Sequence, residues 1–235
     1  MNIVYQPIVE LQQGKVVGYE ALSRFARQEP PDLIFREAWE RGNGVELEVQ
    51  AFEMAVRNFP HRIDEAYLAI NASAKTIIAT RGKLMEDPGL EIPWPRLVLE
   101  ISEKHEIVDY LQLDQPISLM RRHKTRMAID DIGAPGYSGF GAVLQVEPDI
   151  LKIDRSLISH IEENPAKRAI VRGIVATAMG LRATVVAEGI ETEEEMKWCT
   201  SMGVDCGQGY YFGRPAPFPE QNTDRLRSAS SNALH

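Results

Sequence analysis

The sequence predicts an α/β barrel, and three observations lead to that class. Short β-rich runs alternate with segments of helical composition, which is the pattern of parallel βαβ units. About seven or eight such runs occur in 235 residues, a number that suits a closed barrel better than an open sheet. Nearly every run also finishes on a polar or charged residue.

Taken in order, Ile3 to Val9 and Lys15 to Leu22 read as two strands joined by a short Gln-Gln-Gly turn, hence an antiparallel hairpin. The chain enters its first strand almost at once, so it is expected to be cut from a longer protein or to have little before this domain. Asp32 to Arg41 and Val45 to Asn58 have helical periodicity, with Asp32 as the expected N-cap and Gly42 and Gly44 between them. The strand runs that follow are Tyr67 to Asn71, Leu97 to Ile101, Arg126 to Asp131, Asp149 to Asp154 and Ala183 to Glu188. A last run near Asp205 to Tyr211 precedes Gly213-Arg-Pro215, where regular structure is expected to stop. Residues 1–220 form one domain with no linker inside it, and the polar tail 221–235 is expected to fray.

The net charge of −8 argues against broad attraction to DNA or to a membrane surface, although cations held in an acidic pocket would present a local positive face. Cys199 and Cys206 are too few for a disulfide framework or a thiolate zinc site. No stretch is long and apolar enough to span a bilayer, and the first residues lack a signal peptide's basic start and apolar core. A cytoplasmic location is the expectation.

The polar strand ends are Glu20, Asn71, Glu100, Asp130 with Asp131, Lys152 with Asp154, Glu188, and Gln208. Side chains alternate along a strand, so Glu20 shares a face with Gly18, Asn71 with Ala69, Glu100 with Val98, Asp130 with Ala128, Lys152 with Ile150, and Glu188 with Val186. Asp131 is expected on the turn after its strand. In a barrel these faces converge on the C-terminal mouth, where an acid in a doubly buried strand is costly unless it is paired or binds a metal. Each position alone also reads as a helix cap or an ordinary strand end; four acids, an amide and a lysine in phase favour a site. The donors are carboxylates and amide oxygens, which suit Mg²⁺ or Mn²⁺ over zinc. His61, His105, His123 and His160 fall in predicted helices or connections and His235 ends the chain; none has metal-ligand spacing with another. With Asp130 shared between two ions, the site would resemble two-metal phosphoryl-transfer centres. Lys152 would orient a water or simply offset charge in the acidic cluster.

Together with Tyr5-Gln-Pro-Ile8, Glu20-Ala-Leu-Ser-Arg24, Asn71-Ala-Ser73, Leu99-Glu-Ile-Ser-Glu103, Leu151-Lys-Ile-Asp154, Ala187-Glu-Gly-Ile-Glu-Thr192 and Gln208-Gly-Tyr-Tyr-Phe-Gly-Arg-Pro215, these residues resemble the EAL domain, a bacterial cyclic di-GMP phosphodiesterase family. The resemblance implies a modified TIM (β/α)8 barrel with an antiparallel first strand. It implies hydrolysis of cyclic di-GMP to linear pGpG with two Mg²⁺ or Mn²⁺ ions. By that analogy Glu20, Asn71, Glu100 and Asp130 hold one metal, and Asp130, Asp131 and Glu188 the other. Lys152 and Glu188 would contact the nucleophilic water, while Gln208 and Glu191 support the site. Arg24 would meet a substrate phosphate, and Gln6, Asp154 and Tyr210 would touch guanine or sugar. A homodimer and a sensory or cyclase domain outside this chain are further expectations of the family.

Active members of the family usually carry Asp-Asp-Phe-Gly-Thr/Ala-Gly-Tyr-Ser-Ser after the metal strand, whereas this chain reads Asp130-Asp-Ile-Gly-Ala-Pro-Gly-Tyr-Ser-Gly139, with Ile132 for phenylalanine, Gly139 for the second serine and one extra residue around Pro135. Proline fixes φ, so the loop must take a different path. The expectation is an enzyme with an unusual loop, since every proposed ligand is retained. The alternatives are a non-catalytic cyclic di-GMP receptor, and a metal-dependent barrel enzyme acting through an enolate with Lys152 as base.

Overall fold

The computed structural model describes residues 1–26, 29–60, 65–80, 92–101, 110–136 and 139–218. The tail 221–235, Glu103, Tyr137, Ser138, His61, His105 and His235 lie outside that set. Eight strands close into a barrel in sequence order: β1 Asn2–Glu10, β2 Lys15–Arg24, β3 Tyr67–Asn71, β4 Leu97–Ile101, β5 Arg126–Ile132, β6 Ile150–Ile153, β7 Thr184–Ala187 and β8 Cys206–Gly207. The first strand is antiparallel to both of its neighbours, and every other pairing is parallel. This is the modified TIM barrel expected from the sequence.

The β1–β2 hairpin forms where predicted. The Glu10 carboxylate accepts the Gln12 and Gln13 amides at 3.3 and 2.7 Å, and Gly14 supplies the positive φ of 66° that the turn demands. At the opposite end of the barrel from the polar layer, Asp149 accepts the Met127 amide and Asp205 the Val185 amide, each at 2.8 Å. These two acids pin early amides of β5 and β7 and so help set the parallel register.

Two apolar layers follow from the alternation. The barrel interior holds Ile8, Tyr67, Ala69, Val98, Ala128, Ile150, Val186 and Cys206. The outer strand faces, among them Leu68, Leu97, Leu99, Ile129, Leu151 and Val185, pack under the helices. Both faces are buried, which is why β4 reads Leu-Val-Leu before its acid; each such side chain contributes about 1.5–3 kcal/mol. Gly18 fits the small interior because the Tyr67 ring lies where a Cβ would be, 2.5 Å away.

The helices are α1 Pro31–Glu40, α2 Gly44–Asn58, α3 Ala74–Thr80, α4 Asp114–Arg122, α5 Phe140–Val146, α6 Arg155–Ile158, α7 Pro165–Leu181 and α8 Glu193–Ser201. Among the described residues none is long and apolar enough to cross a membrane.

Four sequence expectations are corrected. Asp32 is not an N-cap: Pro30 holds that position without a side-chain bond, and Asp32 sits in the first turn, where its charge suits the helix dipole. Asp131 is not on a turn after β5 but inside it. The run near 205–211 yields only Cys206–Gly207, because the positive φ of Gly209 and a turn through Phe212 break the ladder. Pairing also outlasts Gly213-Arg-Pro215: Ala216 bridges Tyr5 through reciprocal backbone bonds of 2.7 and 3.0 Å.

Candidate active site

The site is one layer of side chains above the apolar interior. Asn71, Glu100, Asp130, Lys152, Glu188 and Gln208 each lie two residues past an interior apolar residue, so strand alternation aims them the same way. On the reversed first strand the order inverts: Gln6 precedes Ile8, pairs with Glu20 across the hairpin, and enters the same layer.

Lys152 is the hub. Its ammonium lies 2.7 Å from Glu188, 2.8 Å from Glu100, 3.3 Å from Asp130 and 3.7 Å from Glu20. It is 1% exposed, so solvent does little to screen it. Glu20 also accepts Asn71 Nδ2 at 2.8 Å and Gln208 Nε2 at 2.6 Å, and Gln208 Nε2 reaches Gln6 Oε1 at 3.1 Å. The Gln6 amide nitrogen then donates to the Gly213 carbonyl at 3.0 Å.

Four carboxylates share one ammonium, and the carboxyls respond unequally. Burial pushes Glu20 up, but Lys152, Gln208 and Asn71 more than offset it and hold it below the usual range. Burial raises Glu100 well above its ordinary value, with Glu20 and Asp130 adding repulsion against the pull of Lys152. Asp130 is raised by burial and by Asp131 and Glu20. Glu188 is raised well above its ordinary value by burial and by Asp130. Burial favours the neutral amine of Lys152, yet the surrounding carboxylates hold it firmly protonated.

The Asp130-Asp131 pair owes its geometry to a bulge. Ile129 pairs with Leu151 and Ile132 with Ile153, so β5 carries one residue more than β6 between these points. Asp131 takes a left-handed φ of 58°, a region that Asp tolerates better than most residues, and its amide donates to Asp130 Oδ1 at 2.9 Å. Asp130, Asp131 and Glu188 each offer one carboxylate oxygen, all within 4.8 Å of one another, a spacing that suits a shared hard cation. Glu20, Glu100 and Asp130 converge instead on the Lys152 ammonium.

These groups floor a cavity of about 470 Å³ whose walls include Leu22, Arg24, Pro31, Asp32, Phe35, Glu48 and Ser73. Glu20, Asn71, Glu100, Asp130, Asp131 and Glu188 all line it. Arg24 is exposed at its rim and donates to the Ser23 carbonyl at 2.8 Å. The remaining candidates do not line the cavity. Asp154 caps α6 by accepting the Ser156 amide at 2.8 Å, Glu191 pairs with Arg155 at 2.7 Å, and half-exposed Tyr210 lies under the Arg214 guanidinium, 4.1 Å from its ring centre. Glu48 is the wall residue that the sequence reading missed. Its signal was an acid one helical turn from each of Gly44 and Phe52, both on the buried face of α2.

The unusual loop has a packing logic. Ile132 is fully buried, and a Cβ on Gly139 would come within 3.0 Å of its Cγ1. Gly139 also has a φ of 73°. The two departures are therefore one local solution, in which a smaller, backbone-permissive residue at 139 lets the chain close over Ile132.

Comparison with known proteins agrees with this architecture. An uncharacterized protein of Azorhizobium caulinodans is 32% identical over 240 residues, covering 92% of this chain and 31% of that protein. The probable cyclic di-GMP phosphodiesterase PdeB of Escherichia coli is 28% identical over 223 residues, covering 91% of this chain and 42% of PdeB. The chain thus spans less than half the length of either relative. The structure of BlrP1 from Klebsiella pneumoniae, a calcium and cyclic di-GMP complex, superposes with a TM-score of 0.79 at 30% identity, over 92% of this chain and 55% of BlrP1. The EAL domain model matches residues 1–215, and the chain belongs to that family.

Proposed function

We propose that the chain hydrolyses cyclic di-GMP, opening one of its two phosphodiester bonds to give linear pGpG, with two Mg²⁺ or Mn²⁺ ions at the barrel mouth. The observation that carries this reading is the charge imbalance at Lys152: four carboxylates, Glu20 and Glu100 buried and Asp130 and Glu188 partly so, face one ammonium and leave an excess that only bound cations or protons relieve. The donor set fits such ions, being all oxygen, with Asp130, Asp131 and Glu188 already closed to within 4.8 Å. Glu20, Asn71, Glu100 and Asp130 would hold one ion and Asp130, Asp131 and Glu188 the other. When bound, the ions would polarise the phosphoryl group and make water a stronger nucleophile near neutral pH.

The chain's own groups divide the rest of the work. Lys152 and Glu188 are in direct contact at 2.7 Å; Glu188 lines the cavity beside the position from which water would attack phosphorus, and Lys152 holds its carboxylate in place. The Glu188 carboxylate would accept a proton from that water as its oxygen bonds to phosphorus, the bond from phosphorus to the ribose oxygen would break, and the leaving oxygen would take a proton from solvent. Gln208 and Gln6 hold Glu20 in place, while Arg24 at the rim offers a planar, permanently charged partner to a substrate phosphate. Glu191 supports the site at one remove, and Asp154 and Tyr210 keep their place in this reading as contacts to guanine or sugar. A homodimer and an attached sensory or cyclase segment belong to this reading through the family.

The altered loop favours a second reading, a receptor that binds cyclic di-GMP without turnover. Purified protein with Mn²⁺, assayed by chromatography for pGpG beside a Glu20→Ala control, separates the two. Tight binding with no pGpG from the unaltered chain leaves the receptor; no binding at all removes both readings.

A further inference from the structure

We infer that Glu48 is a positioning residue for the barrel mouth, holding the turn from Asn71 to Ser73 and with it the Asn71 amide. The inference rests on the phosphodiesterase reading for the use made of Asn71, and on hydrogen bonds for the positioning. Glu48 projects from the buried face of α2 into the wall of the cavity. Its carboxylate is shared between two other elements: Oε1 accepts the Trp39 indole N–H from α1 at 3.0 Å, and Oε2 accepts the Ser73 amide at 2.9 Å. Ser73 in turn starts α3, accepting the Thr76 amide at its hydroxyl at 3.2 Å.

Three bonds on three consecutive residues therefore hold the turn. Asn71 Nδ2 donates to Glu20, the Ala72 amide donates to the Glu100 carbonyl at 2.9 Å, and the Ser73 amide donates to Glu48. Two of the anchors are themselves candidate metal ligands on neighbouring strands. Glu48 is the one supplied by a helix. With Nδ2 committed to Glu20, the Asn71 carbonyl oxygen is the amide atom that remains to serve as a ligand, and its placement depends on the turn. The residue type is chemically determined. Both partners of Glu48 are N–H donors, so two acceptor oxygens are needed; glutamine has one, and its NH₂ would face an N–H.

The test is made on the full chain with Glu48→Gln and Trp39→Phe. In metal-free protein, Glu48→Gln should move the Asn71 side-chain amide resonance and speed hydrogen exchange at the Ser73 amide. Mn²⁺ affinity, read by electron paramagnetic resonance without substrate, should fall about tenfold, as for loss of an outer partner of a metal ligand. Trp39→Phe leaves the Ser73 bond in place and should shift neither signal, with Mn²⁺ affinity close to that of the unaltered chain. If Glu48→Gln does not fold, Glu48→Asp, too short to reach both donors, carries the same comparison. An Asn71 resonance and a Ser73 exchange rate unchanged in the folded variant overturn the inference. Failure of the unaltered chain to bind Mn²⁺ would remove the metal-dependent reading instead, and the two metal-free signals would still decide the role of Glu48.

Discussion

Lys152 Nζ stands 2.7 Å from a carboxylate oxygen of Glu188, joining β6 to the end of β7 at the barrel mouth. The same ammonium serves Glu100, Asp130 and Glu20, so its removal leaves four carboxyls, two of them buried and two partly buried, with no cation between them. Lys152→Met should lower the stability of the metal-free protein by about 3–5 kcal/mol, the usual result of breaking a buried ion pair from one side. Urea denaturation measures it, and a loss below 1 kcal/mol would show that the carboxyls neutralise themselves by taking up protons. Turnover should disappear in the same variant.

Cation binding should release protons. Burial raises Glu100 and Glu188 well above their ordinary values and raises Asp130 less far. Their folded-state values lie above the unfolded ones, so the stability they contribute is present below the unfolded values, about 4 for such carboxyls, and is lost as pH rises through the folded values. Cations need the deprotonated forms, so Mn²⁺ affinity rises across that window. Calorimetric titration in two buffers of different ionisation enthalpy counts the protons, and a count of zero would contradict the charge arrangement described here.

Glu195 follows the opposite sign. Burial pushes it up, but the Glu191, His160 and Thr192 amides, donating at 2.8, 3.0 and 3.1 Å, hold the carboxyl below its ordinary value of 4.5. Its contribution is present above 4.5 and is lost as pH falls through the lower folded value. Glu195→Ala should cost about 1–3 kcal/mol at neutral pH, because the amides it satisfied are left without their acceptor. The cost should shrink in denaturation curves taken under acid conditions. The variant also frees the backbone at Glu191, three residues beyond Glu188.

Arg24 lies at the rim and donates only to the neighbouring Ser23 carbonyl among the bonds described. Arg24→Ala should therefore leave the unfolding midpoint within about 0.5 kcal/mol of the parent. The KM for cyclic di-GMP should rise about tenfold or more through loss of a charged hydrogen bond to phosphate. Steady-state kinetics test this. An unchanged KM would move the phosphate contact elsewhere.

Much of the frame was legible because its causes are local. Tyr67–Asn71 and Leu97–Ile101 form with the bounds read from the sequence, since a short apolar run with a polar residue at or next to its end has few other meanings. The Asp149 and Asp205 carboxylates, by contrast, act at the far end of the barrel, and nothing local announces which strand's amide each one takes. Asp154, Glu191 and Tyr210 were assigned to the site by resemblance alone, and the cap, ion-pair and ring contacts they make are ones no strand periodicity announces.

The sequence by itself determined that six polar side chains, Glu20, Asn71, Glu100, Asp130, Lys152 and Glu188, would face the same way, each sharing its face with the small or apolar residue two before it, because alternation along a strand is a property of the backbone. Tertiary structure alone decided three things: that Lys152 is shared by four acids, that a bulge puts Asp131 inside β5, and that Glu48 reaches across from α2 to hold Ser73. Those are distances between strands and helices far apart in the chain. They are set by barrel closure and packing, and no periodicity in the sequence encodes them.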